Sequence, residues 1–237
     1  MKTLIAIPCM DMIESSFVEC LLKMRIVGEA EVRFLKGSLV YDARNQIMQY
    51  ALKKGGFDYI LWLDSDMTFE PDLMERMMDS IGDKPMLTGL CFGRRPPFKP
   101  CIFKRLEVKQ DGLGVEPIAE NWYDYPRDSL FQVEGCGFAC VLQRIDMLDA
   151  MSVFGIPFFP IAGLGEDLAF CWRAKKLDFE IWCDSRIRLG HLMRMSMEEG
   201  LRDQMIKPGT REEPQLPGPN GPDSPLPEIR SPAADTL

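Results

Sequence analysis

The chain has 237 residues, 46% of them apolar and 27% charged, with a net charge of -8 and a pI of about 4.9. That length and apolar share suit one α/β domain with a sizeable core. The acidic balance argues against a nonspecific binder of nucleic acid or anionic membrane, since both leave a basic footprint.

The opening MKTLIAIPCMD holds a short apolar run. Pro8 and Asp11 interrupt it before the core of a signal peptide or membrane span could form. No later stretch approaches the roughly 18 apolar residues of a transmembrane helix. The eight cysteines form no CxxC pair and there is one histidine, which speaks against a zinc site. With no export signal, the expected location is cytoplasmic and the expected thiols are reduced.

Residues 3–8 read as an apolar strand ending in Pro8. Phe17, Leu21, Leu22 and Met24 recur with helical spacing and predict a helix over 13–25. Residues 31–35 alternate as a strand does. Ile47, Met48 and Ala51 share one face of a helix over 40–52, which Gly55-Gly56 stops. YILWL at 59–63 is apolar on both faces, as in a buried parallel strand. Thr68 would cap a helix opening at Pro71 and running to Ile81, and 86–91 form the next strand. This alternation predicts a parallel sheet with right-handed crossovers.

Residues 94–130 are less regular. RRPPFKP and DGLG are loop-like, and short strands between them could pair antiparallel. FQVEGCGFACVLQ reads as a strand broken by glycines, 144–151 as a helix, and 166–176 as a helix after GLGE. A last strand over 179–188 leads to Gly190-His191, and a last helix is expected over 195–205. These elements make one domain, 1–206. From 207 to 237 the sequence is rich in Pro, Gly and acidic residues without apolar periodicity. It reads as a disordered tail, with partner docking as an alternative role.

Asp64-Ser65-Asp66 follows the most apolar strand, where the chain leaves the sheet. Ligands of open α/β sheets bind outside the carboxyl ends of strands. Two acids one residue apart can serve one oxygen-liganded Mg²⁺ or Mn²⁺ that bridges to a diphosphate. A turn-and-cap cluster is the other reading. His191 leaves the sheet at the same edge, where neutral imidazole could complete such a site; alternatively it is structural. Glu166-Asp167 opens a helix after Gly163-Leu164-Gly165. Macrodipole complementarity accounts for one acid there, and Asp167 could serve as a general base.

Asp42 and Arg44 could contact nucleotide and phosphate. In that reading Arg44 is a bidentate phosphate donor or a partner that orients an acid; a surface ion pair is the other reading of the two residues. Arg94 and Arg95 read as solvated loop charges, with diphosphate or acceptor contact as the alternative. Gly135-Cys136-Gly137 permits either close ligand approach or a bulge. Trp122, Tyr123, Tyr125, Phe158 and Phe159 could stack on a sugar or base, or anchor loops by packing.

Taken together, the strand ending in Pro8, the helix with ARNQ, YILWLDSDMTFEPDLMERM, EGCGFACVLQRIDML, GLGEDLAFCWRAKKLDFEIWCD and the late LGH resemble GT-A glycosyltransferases, with family-2-like members nearest. The resemblance spans residues 2–195. It implies a Rossmann-like α/β fold: a mostly parallel central sheet flanked by helices, with a small antiparallel acceptor-side region. It further implies hexosyl transfer from a nucleotide-diphosphate-sugar, a UDP-sugar first among them. The acceptor could be a glycan, lipid, protein or modified nucleobase. Pro8, Asp42, Arg44, Asp64 and Ser65 would border the nucleotide. Asp66 and His191 would bind Mn²⁺ or Mg²⁺ with Asp64, and Glu166-Asp167 would face the acceptor. The QxxRW-type element of processive synthases is not evident. Two rivals remain: a nucleotidyltransferase, which would carry a Gly-rich basic loop where IPCMDMIESS stands, and a noncatalytic nucleotide-sugar-binding scaffold.

Overall fold

The computed structural model describes residues 1–37, 39–111, 114–161 and 163–194. The chain divides into two units, Met1–Met193 and Arg194–Leu237, and the fold below is that of the first. The helix expected over 195–205 and the tail over 207–237 lie outside the described residues.

The first half follows the apolar periodicity closely. Strand β1 (Lys2–Cys9), helix α1 (Ser15–Lys23), strand β2 (Glu29–Lys36), helix α2 (Val40–Lys54) and strand β3 (Tyr59–Leu63) come in the anticipated order. Strands β1 and β3 are almost wholly buried, as continuous apolar runs flanked by helices must be. Gly55, with φ of 68°, ends α2 in a backbone conformation that side chains resist.

Thr68 does not cap a helix. It lies in a two-residue strand β4 (Met67–Thr68), and helix α3 (Leu73–Ile81) starts two residues later than expected, with Asp72 at its N-cap. Strand β5 (Met86–Leu90) follows. The irregular middle proves more ordered than its composition suggested. A hairpin of β6 (Ile102–Asp111) and β7 (Gly114–Asn121) fills it, with partner strand β9 (Gly135–Cys136) on the other side of β6. The glycine-broken strand is three strands: β8 (Leu130–Val133), β9, and β10 (Cys140–Arg144). Gly135 lies where a Cβ would meet Leu106 and Leu168 at 3.0 and 3.2 Å, so the glycine serves close core packing instead of ligand approach. Helices α4 (Ile145–Met151) and α5 (Glu166–Lys176) and strands β11 (Ile181–Arg188) and β12 (Gly190–His191) complete the unit.

The main sheet has seven strands in the order β2-β1-β3-β10-β5-β11-β8. Strands β2, β1, β3, β5 and β11 run parallel, and β10 and β8 run against them. The sheet is therefore mostly parallel, with one correction. Strand β10 inserts between β3 and β5, which the β-α-β alternation places side by side. Two apolar layers cover the sheet. One centres on Trp62, Phe138, Phe158 and Phe170, the other on Phe17, Met74 and Met77. Phe158 stacks on Phe170 at 4.4 Å, and Trp122 and Tyr125 pack around Phe131. Those three of the five candidate stacking aromatics are packing residues; Tyr123 and Phe159 are exposed. All eight cysteines are free thiols. Among the described residues no helix is long and apolar enough to cross a membrane.

Candidate active site

The parallel strands bring their carboxyl ends to one edge, and the singled-out residues leave the sheet there. Pro8 is at the end of β1, Asp64 follows β3, Arg94 follows β5, and His191 follows β11. Helix α5 points its N-terminus, with Glu166 and Asp167, at the same edge. At this edge lies a cleft of about 430 Å³; His191 is not in its lining but stands behind Asp66. Pro8, Arg44, Asp64, Ser65, Asp66, Arg94, Glu166 and Asp167 all line it. Asp42 does not: it is exposed on α2 and accepts a hydrogen bond from Gln46 Nε2 at 2.7 Å. Arg95 is exposed on the loop beside Arg94.

Arg44 organises the inner wall. It occupies the apolar face of α2, one turn before Ile47 and Met48, and is 1% exposed. Its Nη2 donates to Asp64 Oδ1 at 3.1 Å and lies 3.4 Å from Asp167 Oδ1. A buried guanidinium of this kind is held by the acids it pairs with. Arg44 is thus the pairing residue of the two readings, joining carboxylates 103 positions apart (167 − 64). Burial raises the pKa of Asp167 to about 7, and Arg44 offsets only part of the rise. Burial also raises Asp64, again partly offset by Arg44.

This shift makes a prediction. Between the ordinary carboxylate range and pH of about 7, the folded chain keeps a proton on Asp167 that the unfolded chain has released. Stability from this group should therefore be present at low pH, fall as pH rises through that window, and level off above it. Urea titrations from pH 5 to 8 should record the decline, and Asp167→Asn should flatten it.

Asp66 forms the outer wall. The turn after β3 is fixed by Asp64 N–H donating to Ala139 O at 3.0 Å and Met67 N–H donating to Asp64 O at 3.3 Å. This turn separates the two acids: Asp64 faces Arg44 and Asp66 faces His191. Strands β4 and β12 pair Met67 with His191 and Thr68 with Gly190, and Leu192 N–H donates to Asp66 O at 2.8 Å. Gly190 has to be small there, because a Cβ would fall 2.2 Å from Thr68 Oγ1. His191 Nδ1 donates to Phe92 O at 2.9 Å, since a carbonyl can only accept. That leaves Nε2 facing Asp66 Oδ1 at 3.5 Å. On the other oxygen, Oδ2, Asp66 accepts from Arg94 Nη1 at 2.6 Å. Burial alone would raise the Asp66 pKa, but His191 and Arg94 beside it hold it below the usual range. Asp66 in turn raises that of His191.

The contact of Arg94 with Asp66 differs from both expectations for Arg94, a solvated loop charge or a diphosphate or acceptor contact. Nothing local signals it; it depends on where the loop after β5 folds.

No protein-family model matches the chain, and no curated protein sequence does either. Solved structures do match. A197 from STIV superposes with a TM-score of 0.60 at 17% identity, covering 82% of this chain and 87% of that one. The crystal structure of GalNAc-T7 with UDP, GalNAc and Mn²⁺ superposes with a TM-score of 0.54 at 8% identity, covering 82% of this chain and 44% of that one. The fold is GT-A-like. At these identities the likeness concerns the fold alone, and this chain spans under half of the GalNAc-T7 chain. The cleft sits where the GT-A-like sheet presents its carboxyl edge, as ligand sites of open α/β sheets do.

Among the described residues no three His, Cys, Asp or Glu side chains converge as a metal-holding group. Asp66 and His191 supply two, with the imidazole tautomer fixed by the Phe92 carbonyl as a metal-ligating histidine requires. Mg²⁺ and Mn²⁺ commonly take few protein ligands and fill the rest with phosphate oxygens and water. The pair fits such an ion.

Proposed function

We propose that the chain is a metal-dependent glycosyltransferase that moves a sugar from a nucleotide-diphosphate-sugar, a UDP-sugar first among candidates, to an acceptor of unassigned class. The observation that carries this reading is the charge of the cleft. Four carboxyl groups (Asp64, Asp66, Glu166, Asp167) face it against two guanidiniums (Arg44, Arg94). A diphosphate would be repelled from so acidic a cleft without a divalent cation, and Asp66 with His191 offers a place for one. That the matched GalNAc-T7 structure was solved with UDP, GalNAc and Mn²⁺ supports the same chemistry.

In this reading Asp66 and His191 would hold the ion, with Asp64 near the ribose or a metal-bound water. The bound ion would supply charge neutralisation for the diphosphate leaving group. Pro8 and Ser65 would border the nucleotide. If transfer inverts the anomeric centre, Asp167 accepts the acceptor proton, and a carboxyl group with a pKa of about 7 is matched to that task. Arg44 keeps Asp167 ionisable in its buried position. Glu166 lines the mouth of the cleft beside it. The IPCMDMIESS segment lacks the Gly-rich basic loop of a nucleotidyltransferase. A noncatalytic scaffold on the same fold has no observation in its favour beyond the tail.

Two measurements test the reading. Melting temperature against UDP-, GDP-, CMP- and TDP-sugars, with and without Mn²⁺, should rise for one donor only when Mn²⁺ is present. No shift with any donor overturns it. With the donor identified, transfer should rise through pH of about 7, following Asp167, because only the ionised form accepts a proton. Asp167→Asn should leave donor binding intact while lowering transfer by roughly 10²–10⁴-fold. Unchanged transfer in that variant removes the base assignment.

A further inference from the structure

The loop between β5 and β6 reaches Asp66 twice. Its second residue, Phe92, accepts from His191 Nδ1 through its carbonyl, and two residues on Arg94 donates to Asp66 Oδ2. The loop is closed at its base by Gly93 N–H to Lys99 O at 2.8 Å and Cys101 N–H to Cys91 O at 3.0 Å. One short hairpin therefore delivers both the histidine's orientation and a guanidinium to the same carboxylate.

Of the two guanidiniums in the cleft, Arg44 is buried and shared between two acids, so its charge is already neutralised. Arg94 is half exposed, with one carboxylate partner. A solvent-screened pair of this kind is worth little and breaks readily. Its planar fork also suits phosphate oxygens.

We propose that Arg94 is a resident counter-ion: it occupies the cation position on Asp66 in the donor-free protein, and passes to the donor's diphosphate when the divalent ion takes that position. This rests on the metal reading of Asp66 and His191. It assigns Arg94 two opposing effects. The guanidinium competes with the ion while the nucleotide is absent, and it strengthens nucleotide binding once the ion is present. An apo cleft is thereby kept from holding a bare cation, and metal and donor are made to bind together.

Calorimetric titration of the full chain with Mn²⁺ alone, then with UDP at saturating Mn²⁺, tests this. Arg94→Met should bind Mn²⁺ about fivefold more tightly than wild type, the ratio corresponding to the ~1 kcal/mol upper worth of an exposed ion pair. The same variant should bind UDP more weakly. Arg94→Lys should restore much of both effects. Arg95→Met removes the same charge from the same loop and should shift Mn²⁺ affinity by less than about twofold. Equal Mn²⁺ affinity in wild type and Arg94→Met, or equal tightening in Arg95→Met, overturns the Arg94 proposal. Asp66→Asn is the separate control. If it binds Mn²⁺ as well as wild type, the metal reading itself fails. If it loses Mn²⁺ while Arg94→Met gains nothing, only the Arg94 proposal falls.

Discussion

Asp66→Ala and His191→Ala should each lower Mn²⁺-dependent donor turnover by about a hundredfold or more, with the fold retained. The size follows from what a bound ion contributes to a developing diphosphate charge, several kcal/mol. It also follows from the sparseness of the pair. If Asp66 and His191 hold the ion as proposed, no third such group converges with them among the described residues, so loss of either would leave a single anchor. The fold should survive because both side chains stand at the cleft edge, 24% and 17% exposed, outside the two apolar layers. Circular dichroism and the melting temperature establish that the variants are folded; nucleotide release from the donor gives the effect. Full activity in either variant would remove the proposed metal position.

The second large effect is on stability. Arg44→Met keeps the volume of a side chain that is 1% exposed, but strips Asp64 and Asp167 of their shared cation. Removing one partner of a buried ion pair costs about 3–5 kcal/mol when the remaining charge is fully trapped. Here the two acids are 28% and 27% exposed, so the lower end applies, about 3 kcal/mol. For a unit of this size that lowers the melting temperature by roughly 6–12 °C. The loss should be greater at pH 8 than at pH 5, because Asp167 can take up a proton below its pKa of about 7 and shed its uncompensated charge. Adding Asp167→Asn to Arg44→Met should recover part of the loss. A melting temperature unchanged by Arg44→Met would mean that Arg44 is not what compensates the acids.

The convergence of the candidate residues at one edge was easier to read than the order of the strands. Asp64, Asp66, Glu166, Asp167 and His191 were legible because each stands where an apolar run ends or a helix begins, and those boundaries are local signals. The inward direction of Arg44 was also present in the sequence, since it falls on the same face as Ile47, Met48 and Ala51. It was obscured because arginine is ordinarily a surface residue. The insertion of β10 between β3 and β5 has no local signal at all. It depends on pairing Cys140 with Leu63 and Val141 with Thr88, and periodicity says which faces are buried, not which strands are neighbours. The long β6–β7 hairpin was hidden by its charge. KRLEVKQD offers only Leu106 and Val108 as an apolar alternation, too short to stand out, and the strand is completed by 8 cross-strand partners that only the fold supplies. The Arg94–Asp66 contact lacks a local signal for the same reason as β10: it exists only after distant segments meet.

The clip between β4 and β12 makes half of the Asp66–His191 pair depend on chain made much later. Asp66 and His191 lie 125 positions apart (191 − 66), and Met67–His191 pairing is what brings them together. Domains fold as units, and the pair therefore waits on the synthesis of the whole unit. A growing chain can lay down β1, β2 and β3 early and still hold only half of the pair. The second half comes with β12, directly after β11 has docked between β5 and β8. The outer wall of the cleft therefore cannot close before the strand after β11 has been made.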